Sequence, residues 1–309
     1  MTRAFVFPGQ GAQVVGMGKA LAEAYPVARA VFEEVDAALG EALSRLIWEG
    51  SQEELTLTRN AQPALMATSI AALRALEAEG VAVTAAAFVA GHSLGEYSAL
   101  CAAGSLGLAD TARLLRLRGQ AMQEAVAVGE GAMAALLGLD FATAVEVARE
   151  AAQGEVCEAA NDNDPAQVVV SGHRAAVERA VEIARTRGAR RAVLLPVSAP
   201  FHCSLMAPAA AAMAEALGQV TIAAPKVPLV ANVTASAVSD PAVIRSLLVE
   251  QVTGSVRWRE SVLYMAAQGV TAFWEIGAGK ALSGMIRRIV REAETRTVGT
   301  PEEVAAARG

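Results

Sequence analysis

Short apolar runs alternate with longer amphipathic stretches along the chain, and that alternation predicts strands and helices in turn. Arg3 to Phe7 reads as a buried strand that stops at Pro8-Gly9, and helical patterning follows from Met17 to Gly50. A helix is predicted from about Pro63 to Glu79, with Pro63 in its first turn and Gly80 just past its end. Ala85 to Ala90 is a short apolar run, Gly91-His92-Ser93-Leu94-Gly95 a tight turn and Glu96 to Ala103 a helix, so this segment reads as strand, turn, helix.

The stretch from 132 to 195 has its own rhythm. Strands are predicted at Ala132–Leu137, Val156–Ala160, Gln167–Ser171 and Arg191–Leu195, and helices at Phe141–Ala152 and Ala175–Arg187. The order is β-α-β-β-α-β, the ferredoxin-like unit, with Gly129-Glu130-Gly131 and Pro196 as its hinges. Beyond it the chain returns to helices at Leu205–Leu217, Pro241–Val252 and Arg257–Gln268, with strands at Pro228–Ala231 and Thr271–Ile276. The economical reading is one α/β body in two pieces, residues 1–128 and 198–309, interrupted by a small subdomain at 129–197. Thr300 to Gly309 reads as a frayed tail.

Composition changes this picture only in part. A hydrophobic share of 54% raises the question of a membrane protein. However, the longest apolar stretch, Val81 to Gly91, is broken by Thr84 and falls short of the ~20 residues a bilayer span needs. Much of the apolar count is alanine, which favours helix without adding much hydrophobic area. The first residues lack the longer apolar region of a signal peptide, which predicts a cytoplasmic protein. A net charge of −6 argues against nucleic-acid binding, which needs a surplus of Lys and Arg on one face. Cys101, Cys157 and Cys203 have no CxxC spacing, which suits free thiols in a reducing compartment, and three Cys with three His show no zinc pattern.

Gly91-His92-Ser93-Leu94-Gly95 fits G-x-S-x-G, whose mechanics require a strand, a sharp turn and a helix. The glycines make room for the backbone, the serine hydroxyl is thrust outward, and the next N–H faces a developing oxyanion. The competing reading is a Gly-rich turn with a capping serine. A nucleophilic serine needs a base, and the imidazoles available are His92, His173 and His202. His92 adjoins Ser93 on a turn that separates their side chains, and His173 opens a helix of the inserted unit. His202 sits where the chain re-enters the main body, and it is favoured. Cys203 is the rival nucleophile, but no turn exposes it. Phe7-Pro8-Gly9-Gln10-Gly11 fails as a dinucleotide fingerprint because position 14 is Val14. It is better placed to supply a second oxyanion donor beside Leu94. Gly277-Ala278-Gly279-Lys280 is not a phosphate-binding loop, because Trp274 and Ala281 occupy positions that such a loop needs for Gly and for Ser or Thr.

On the helix predicted from Asp110 to Val126, Arg113, Arg116, Gln120, Gln123 and Glu124 share one face. Arg118 falls instead within the apolar stripe formed by Leu114, Leu115, Ala121, Met122 and Ala125. A guanidinium there is costly unless it meets an anion with good geometry, and its planar fork suits a carboxylate. That carboxylate belongs either to a ligand or to a protein Asp or Glu.

These residues fall in the order seen in a known family. Phe7-Pro8-Gly9-Gln10-Gly11, Asn60-Ala61-Gln62-Pro63-Ala64, Gly91 to Tyr97, Arg118-Gly119, Asn161 with Pro165 to Gly172, His202, Asn232, Gln251 and Glu275 to Lys280 all take part. Over essentially its whole length the chain resembles the malonyl-CoA:acyl carrier protein transacylases, and its length resembles the free-standing component of dissociated bacterial fatty-acid synthases. The resemblance implies a hydrolase-like α/β body carrying the ferredoxin-like subdomain. It implies that Ser93 takes malonyl from coenzyme A as an ester and passes it to the phosphopantetheine thiol of acyl carrier protein. His202 would act as base and acid, the Gln251 main-chain carbonyl would orient it, and the N–H groups of Gln10 and Leu94 would form the oxyanion hole. Arg118 would grip the malonyl carboxylate, with Gln62, Asn161 and Asn232 as further pocket or structural residues. Phe201 departs from many free-standing members, which carry a smaller residue there, and its bulk would narrow the pocket against a methyl branch by ~1–3 kcal/mol.

The implied partners are acyl carrier protein and coenzyme A thioesters, with no cofactor, metal, membrane or nucleic acid. An acidic carrier would need a basic patch, for which Arg187, Arg190 and Arg191 or Arg287, Arg288 and Arg291 are candidates. Two other readings stand beside transfer. One is a serine thioesterase or esterase on the same elbow, in which water resolves the acyl-enzyme. The other is a catalytically silent carrier-binding protein, against which the intact Ser93 and His202 speak. Service to a polyketide carrier is a further variant of the transfer reading.

Overall fold

The computed structural model describes residues 2–308. In chain order its strands are β1 (Arg3–Phe7), β2 (Phe88–Gly91), β3 (Gly131–Leu137), β4 (Cys157–Asp164), β5 (Gln167–His173), β6 (Arg191–Leu194), β7 (Leu229–Ala231), β8 (Ser236–Val238), β9 (Ala272–Ile276) and β10 (Glu294–Val298). They form two sheets, one of order β10-β9-β1-β2-β7-β8 and one of order β4-β5-β3-β6.

The larger sheet is parallel except for β8, which returns antiparallel on β7. A parallel sheet is covered on both faces, so its strands are apolar throughout, and Ala4 to Phe7 are all fully buried. Chain connections leave the central strand β1 toward β2 on one side, and β9 pairs with its other edge. In such sheets the crevice beyond the carboxyl ends of the strands is the ordinary ligand site. Gln10, Ser93 and Asn232 all follow strand ends there, after β1, β2 and β7.

The second sheet is wholly antiparallel, and with helices Phe141–Ala152 and Arg174–Thr186 it makes the expected βαββαβ unit. Side chains alternate across it, as a period of two requires. Ala132, Ala134, Leu136, Val168 and Val170 pack into the core under its own helices. Met133 and Val169 face the core of the larger body. Such two-sided burial explains why these strands read as continuous apolar runs.

The structure differs from the sequence reading in four places. The helix expected to begin at Pro63 begins at Thr58, with Pro63 inside it. A proline there cannot donate to the carbonyl four residues back, and that carbonyl, of Arg59, accepts from Arg116 Nη1 at 2.6 Å instead. The expected frayed tail contains helix Pro301–Ala306, capped by the Thr300 hydroxyl and anchored by buried Val304 and Ala307, while Gly309 lies outside the described residues. Strand β4 runs on to Asp164 through two irregularities in its pairing, because its last four residues are polar yet buried. Finally, β8, β10 and helices Gln52–Thr56 and Ala281–Ile289 are additional to the expected elements.

The polar end of β4 fastens the smaller sheet to the body. The Asp162 N–H donates to the Val256 carbonyl at 2.9 Å, and the Val256 N–H donates to that of Ala160 at 2.8 Å. Arg259 Nε lies 3.0 Å from both oxygens of buried Asp162, and Arg288 Nε donates to Asp164 at 2.7 Å. Asn161 and Asn163, alternating with these carboxylates, line a cavity between the two units.

Candidate active site

Backbone geometry sets the site. Ser93 sits between β2 and helix Gly95–Ala102 with φ of 53°, a left-handed conformation uncommon for a non-glycine residue. The flanking glycines are needed for contact rather than for dihedral freedom. A Cβ on Gly91 would lie 1.9 Å from the Gly95 carbonyl carbon, and one on Gly95 would lie 2.3 Å from the Phe7 carbonyl oxygen.

Asn232 holds this elbow from below. Its Oδ1 accepts the Ser93 N–H at 2.9 Å and its Nδ2 donates to the Gly91 carbonyl at 2.7 Å. It is fully buried, so it lies beneath the cavity rather than on its wall.

The Ser93 hydroxyl donates to His202 Nε2 at 2.7 Å, and His202 Nδ1–H donates to the Gln251 main-chain carbonyl at 2.9 Å. That second bond fixes the tautomer and leaves Nε2 free to accept a proton. Burial, followed by the positive field of Arg118, pushes the imidazole down to about 3, so it rests neutral. The other two histidines are engaged elsewhere. His92 Nε2 is bonded to Asn163 Oδ1 at 2.8 Å, and His173 Nδ1 accepts the Val156 N–H at 2.9 Å. Cys203 is buried, with its thiol donating to the Pro200 carbonyl.

Arg118 is 1% exposed. Its Nη1 donates to Gln62 Oε1 at 2.7 Å, and its Nη2 donates to Gln251 Oε1 at 2.7 Å and to Ser93 Oγ at 3.1 Å. Among the described residues no carboxylate forms an ion pair with it. The Tyr97 ring lies 5.6 Å from the guanidinium carbon. The cation therefore has neutral acceptors on its protein side and the Ser93 hydroxyl on its open side.

Above Ser93 lies a cavity of about 450 Å³, within the usual range of small-molecule sites. Gln10, Leu94, Gln62, Asn161 and Phe201 line it, together with Ser93, His202 and Arg118. The N–H groups of Gln10 and Leu94 donate to no other protein group among the described residues, which leaves both free to bond an oxygen in the cavity. Gln251 is wholly buried and reaches the site through its hydrogen bonds. Among the described residues no group of three or more His, Cys, Asp or Glu side chains could hold a metal ion, and no helix is long and apolar enough to cross a membrane.

Glu96 was missed by the sequence reading. Its carboxylate is buried behind the elbow, and Oε2 accepts from the Asn232 N–H at 3.1 Å and from Gln251 Nε2 at 2.9 Å. Burial raises it to about 7, against the lowering effect of these bonds and of Arg118. In sequence it is a glutamate in the first turn of helix Gly95–Ala102, where an acidic residue is ordinary and draws no notice.

Comparison with known proteins places these features in a wider set. The family model of the acyl transferase domain matches residues 4–304. The malonyl CoA-acyl carrier protein transacylase of Escherichia coli K12 is 48% identical over 98% of each chain. The crystal structure of an acyl-carrier-protein S-malonyltransferase from Bartonella henselae is 59% identical with a TM-score of 0.97, covering 99% of this chain and 98% of that one. A solved complex of a type II PKS acyl carrier protein with its malonyl-transacylase matches at a TM-score of 0.96 and 42% identity, over 99% of each chain.

Proposed function

The chain belongs to the acyl transferase family, among the malonyl-CoA:acyl carrier protein transacylases, and from that premise we propose how its residues carry malonyl from coenzyme A to the phosphopantetheine thiol of acyl carrier protein. The observation that carries this reading is the buried Arg118 guanidinium, 3.1 Å from Ser93 Oγ and without an acidic partner. An acyl group with a distal carboxylate completes it, whereas an acetyl or long alkyl chain leaves the guanidinium with no anion bonded to it directly.

His202 Nε2 takes the Ser93 proton as Oγ bonds to the thioester carbon. The oxyanion is met by the N–H groups of Gln10 and Leu94. The tetrahedral adduct collapses with loss of the coenzyme A thiolate, to which His202 returns the proton. The carrier thiol then attacks the Ser93 ester by the same steps in reverse, which restores the Ser93 hydroxyl. The Gln251 carbonyl stands where a triad carboxylate would be and supports the imidazolium without a formal charge. A bound malonyl carboxylate also offsets the field of Arg118, so His202 becomes a stronger base when the correct substrate is present.

Phe201, Gln62 and Asn161 shape the acyl and thioester ends of the cavity in this reading, and Asn232 holds the elbow. The body comprises residues 1–128 and 198–309 and the inserted subdomain residues 129–197. The reaction needs no cofactor beyond its two substrates. A cytoplasmic location follows from the use of coenzyme A thioesters, and three buried free thiols support it. Supply of malonyl units to fatty-acid synthesis is the expected role.

Incubation with malonyl-CoA followed by intact-mass measurement tests the reading. It expects one malonyl ester, absent from Ser93→Ala. An adduct that persists in Ser93→Ala, or none on the unaltered enzyme, overturns the reading. Rapid loss of the ester to water without carrier would favour the thioesterase alternative.

A further inference from the structure

Arg118 and Glu96 are joined through one side chain. Arg118 Nη2 donates to Gln251 Oε1 at 2.7 Å, and Gln251 Nε2 donates to Glu96 Oε2 at 2.9 Å. The amide is polarised along that line, with its oxygen toward the cation and its nitrogen toward the anion. Glu96 Oε1 has no hydrogen-bond partner, although it is buried. A carboxylate kept with one bare oxygen in a water-excluded site is costly, and helix capping does not explain it, because its bonds go to Gln251 and Asn232.

We propose that Glu96 is the resident counter-charge of Arg118, acting through the Gln251 amide, and that it tunes how tightly the acyl carboxylate of the substrate is held. The inference rests on the malonyl reading above. When the pocket is empty, the buried cation is balanced by an anion one amide away. When malonyl enters, its carboxylate occupies the open side of the guanidinium and competes with Glu96 for the same charge. Two carboxylates sharing one cation in a poorly solvated space repel, so one tends to accept a proton. Glu96 is the group suited to do so, since burial already brings it to about 7.

The charged and titratable groups around Glu96 leave it as the one that changes in the neutral range. Arg118 faces it from helix Leu108–Glu124. Tyr97, on its own helix, is pushed up to about 12 by burial. His202 on its loop is held at about 3, and His92 on the elbow is held below its ordinary value, burial being the leading cause for each. Gln251 and Asn232 do not titrate. Malonyl affinity therefore falls as pH rises through 7, because ionised Glu96 competes with the substrate for Arg118. Acetyl transfer, which lacks the second carboxylate, does not follow the same course.

The test measures kcat/KM for malonyl-CoA and for acetyl-CoA at pH 6 and pH 8.5, in the unaltered enzyme and in Glu96→Gln. The amide introduced by that substitution can present an acceptor to the same two donors without the charge. The malonyl-to-acetyl ratio of the unaltered enzyme should fall with pH by on the order of tenfold, the equivalent of one pKa unit of coupling. In Glu96→Gln the ratio should be flat and, at pH 8.5, above that of the unaltered enzyme, chiefly through a lower KM for malonyl-CoA. A purely structural Glu96 would instead lower both substrates together. A pH-independent ratio in the unaltered enzyme overturns the inference whether or not the variant folds, and so does a parallel pH dependence in both proteins. Failure of the unaltered enzyme to form a malonyl ester overturns the functional reading as well, whereas normal malonyl transfer with a flat ratio removes this inference alone.

Discussion

Arg118 Nη2 stands 3.1 Å from Ser93 Oγ, so the cation and the proposed nucleophile share one end of the cavity. In a malonyl ester a single methylene separates the acyl carbon from the distal carboxylate, and only an acyl group that short can join Oγ to the guanidinium without folding back on itself. Arg118→Ala should therefore lose malonyl transfer by on the order of a hundredfold or more, the scale for removing one partner of a buried charge pair. Acetyl transfer should fall far less. Parallel kinetics on the two thioesters check this, and equal losses would return Arg118 to a structural role.

His202 should leave a mark on acid stability. Its imidazole is held near 3 when folded and returns to ~6.5 when unfolded. Between those values the unfolded chain binds the extra proton, so this group removes stability as pH falls through that window. Glu96 works in the opposite sense. Its folded value of about 7 means that the folded state binds the extra proton, and stability declines as pH rises from ~4.5 to about 7. His202→Gln lacks the first effect and should unfold at a lower pH than the parent in a denaturation series followed by circular dichroism. Coincident acid midpoints would contradict the burial and charge assigned to His202.

Asn232 carries the shape of the elbow rather than the chemistry. It accepts the Ser93 N–H and donates to the Gly91 carbonyl, and so ties both sides of the turn that holds Ser93 at φ of 53°. Asn232→Ala leaves those two groups buried without partners, at about 1–3 kcal/mol each in the usual case. The expected result is a lower melting temperature and a fall in kcat shared equally by malonyl and acetyl thioesters. A change confined to the malonyl KM would instead put Asn232 in contact with the acyl group.

Much of this arrangement could be read from residue order, for identifiable reasons. The elbow was visible because its glycines are dictated by backbone contacts, 1.9 Å at Gly91 and 2.3 Å at Gly95 for an added Cβ, which no other residue satisfies. Arg118 stood out because a charge within an apolar stripe breaks the helical period. Glu96 did not, since an acidic residue in a first turn breaks no rule, and its partners Asn232 and Gln251 lie 136 and 155 residues away. The end of β4 was equally hidden. Asn161 to Asp164 lack apolar alternation and, as an Asn/Asp run before Pro165, carry the local signature of a loop; what makes them a strand is a tertiary contact with Val256, Arg259 and Arg288. The proline in helix Thr58–Ala78 looks like a helix start in sequence because the arginine that satisfies the orphaned Arg59 carbonyl comes from another helix.

The ion pair between Asp162 and Arg259 should behave as a pin between the two units. Asp162 is fully buried and takes Arg259 Nε on both oxygens, with Nη2 a further 2.9 Å contact. Burial raises the Asp162 pKa, and its contacts with Arg259 are the main influences opposing that rise. Arg259→Leu removes those contacts and strands a buried carboxylate, which costs about 3–5 kcal/mol where such pairs have been broken. The sign of the pH effect follows. With Arg259 gone the folded pKa of Asp162 climbs further above the unfolded ~3.9, so the deficit should deepen as pH rises through that range and shrink in acid. Asp162→Asn combined with Arg259→Leu removes the stranded charge and should recover part of the loss. Denaturant unfolding of the two variants at pH 5 and pH 8 checks both points. A single variant no less stable than the double, or a deficit that does not grow with pH, would mean that the β4 ladder to Val256 holds the units together without the pair.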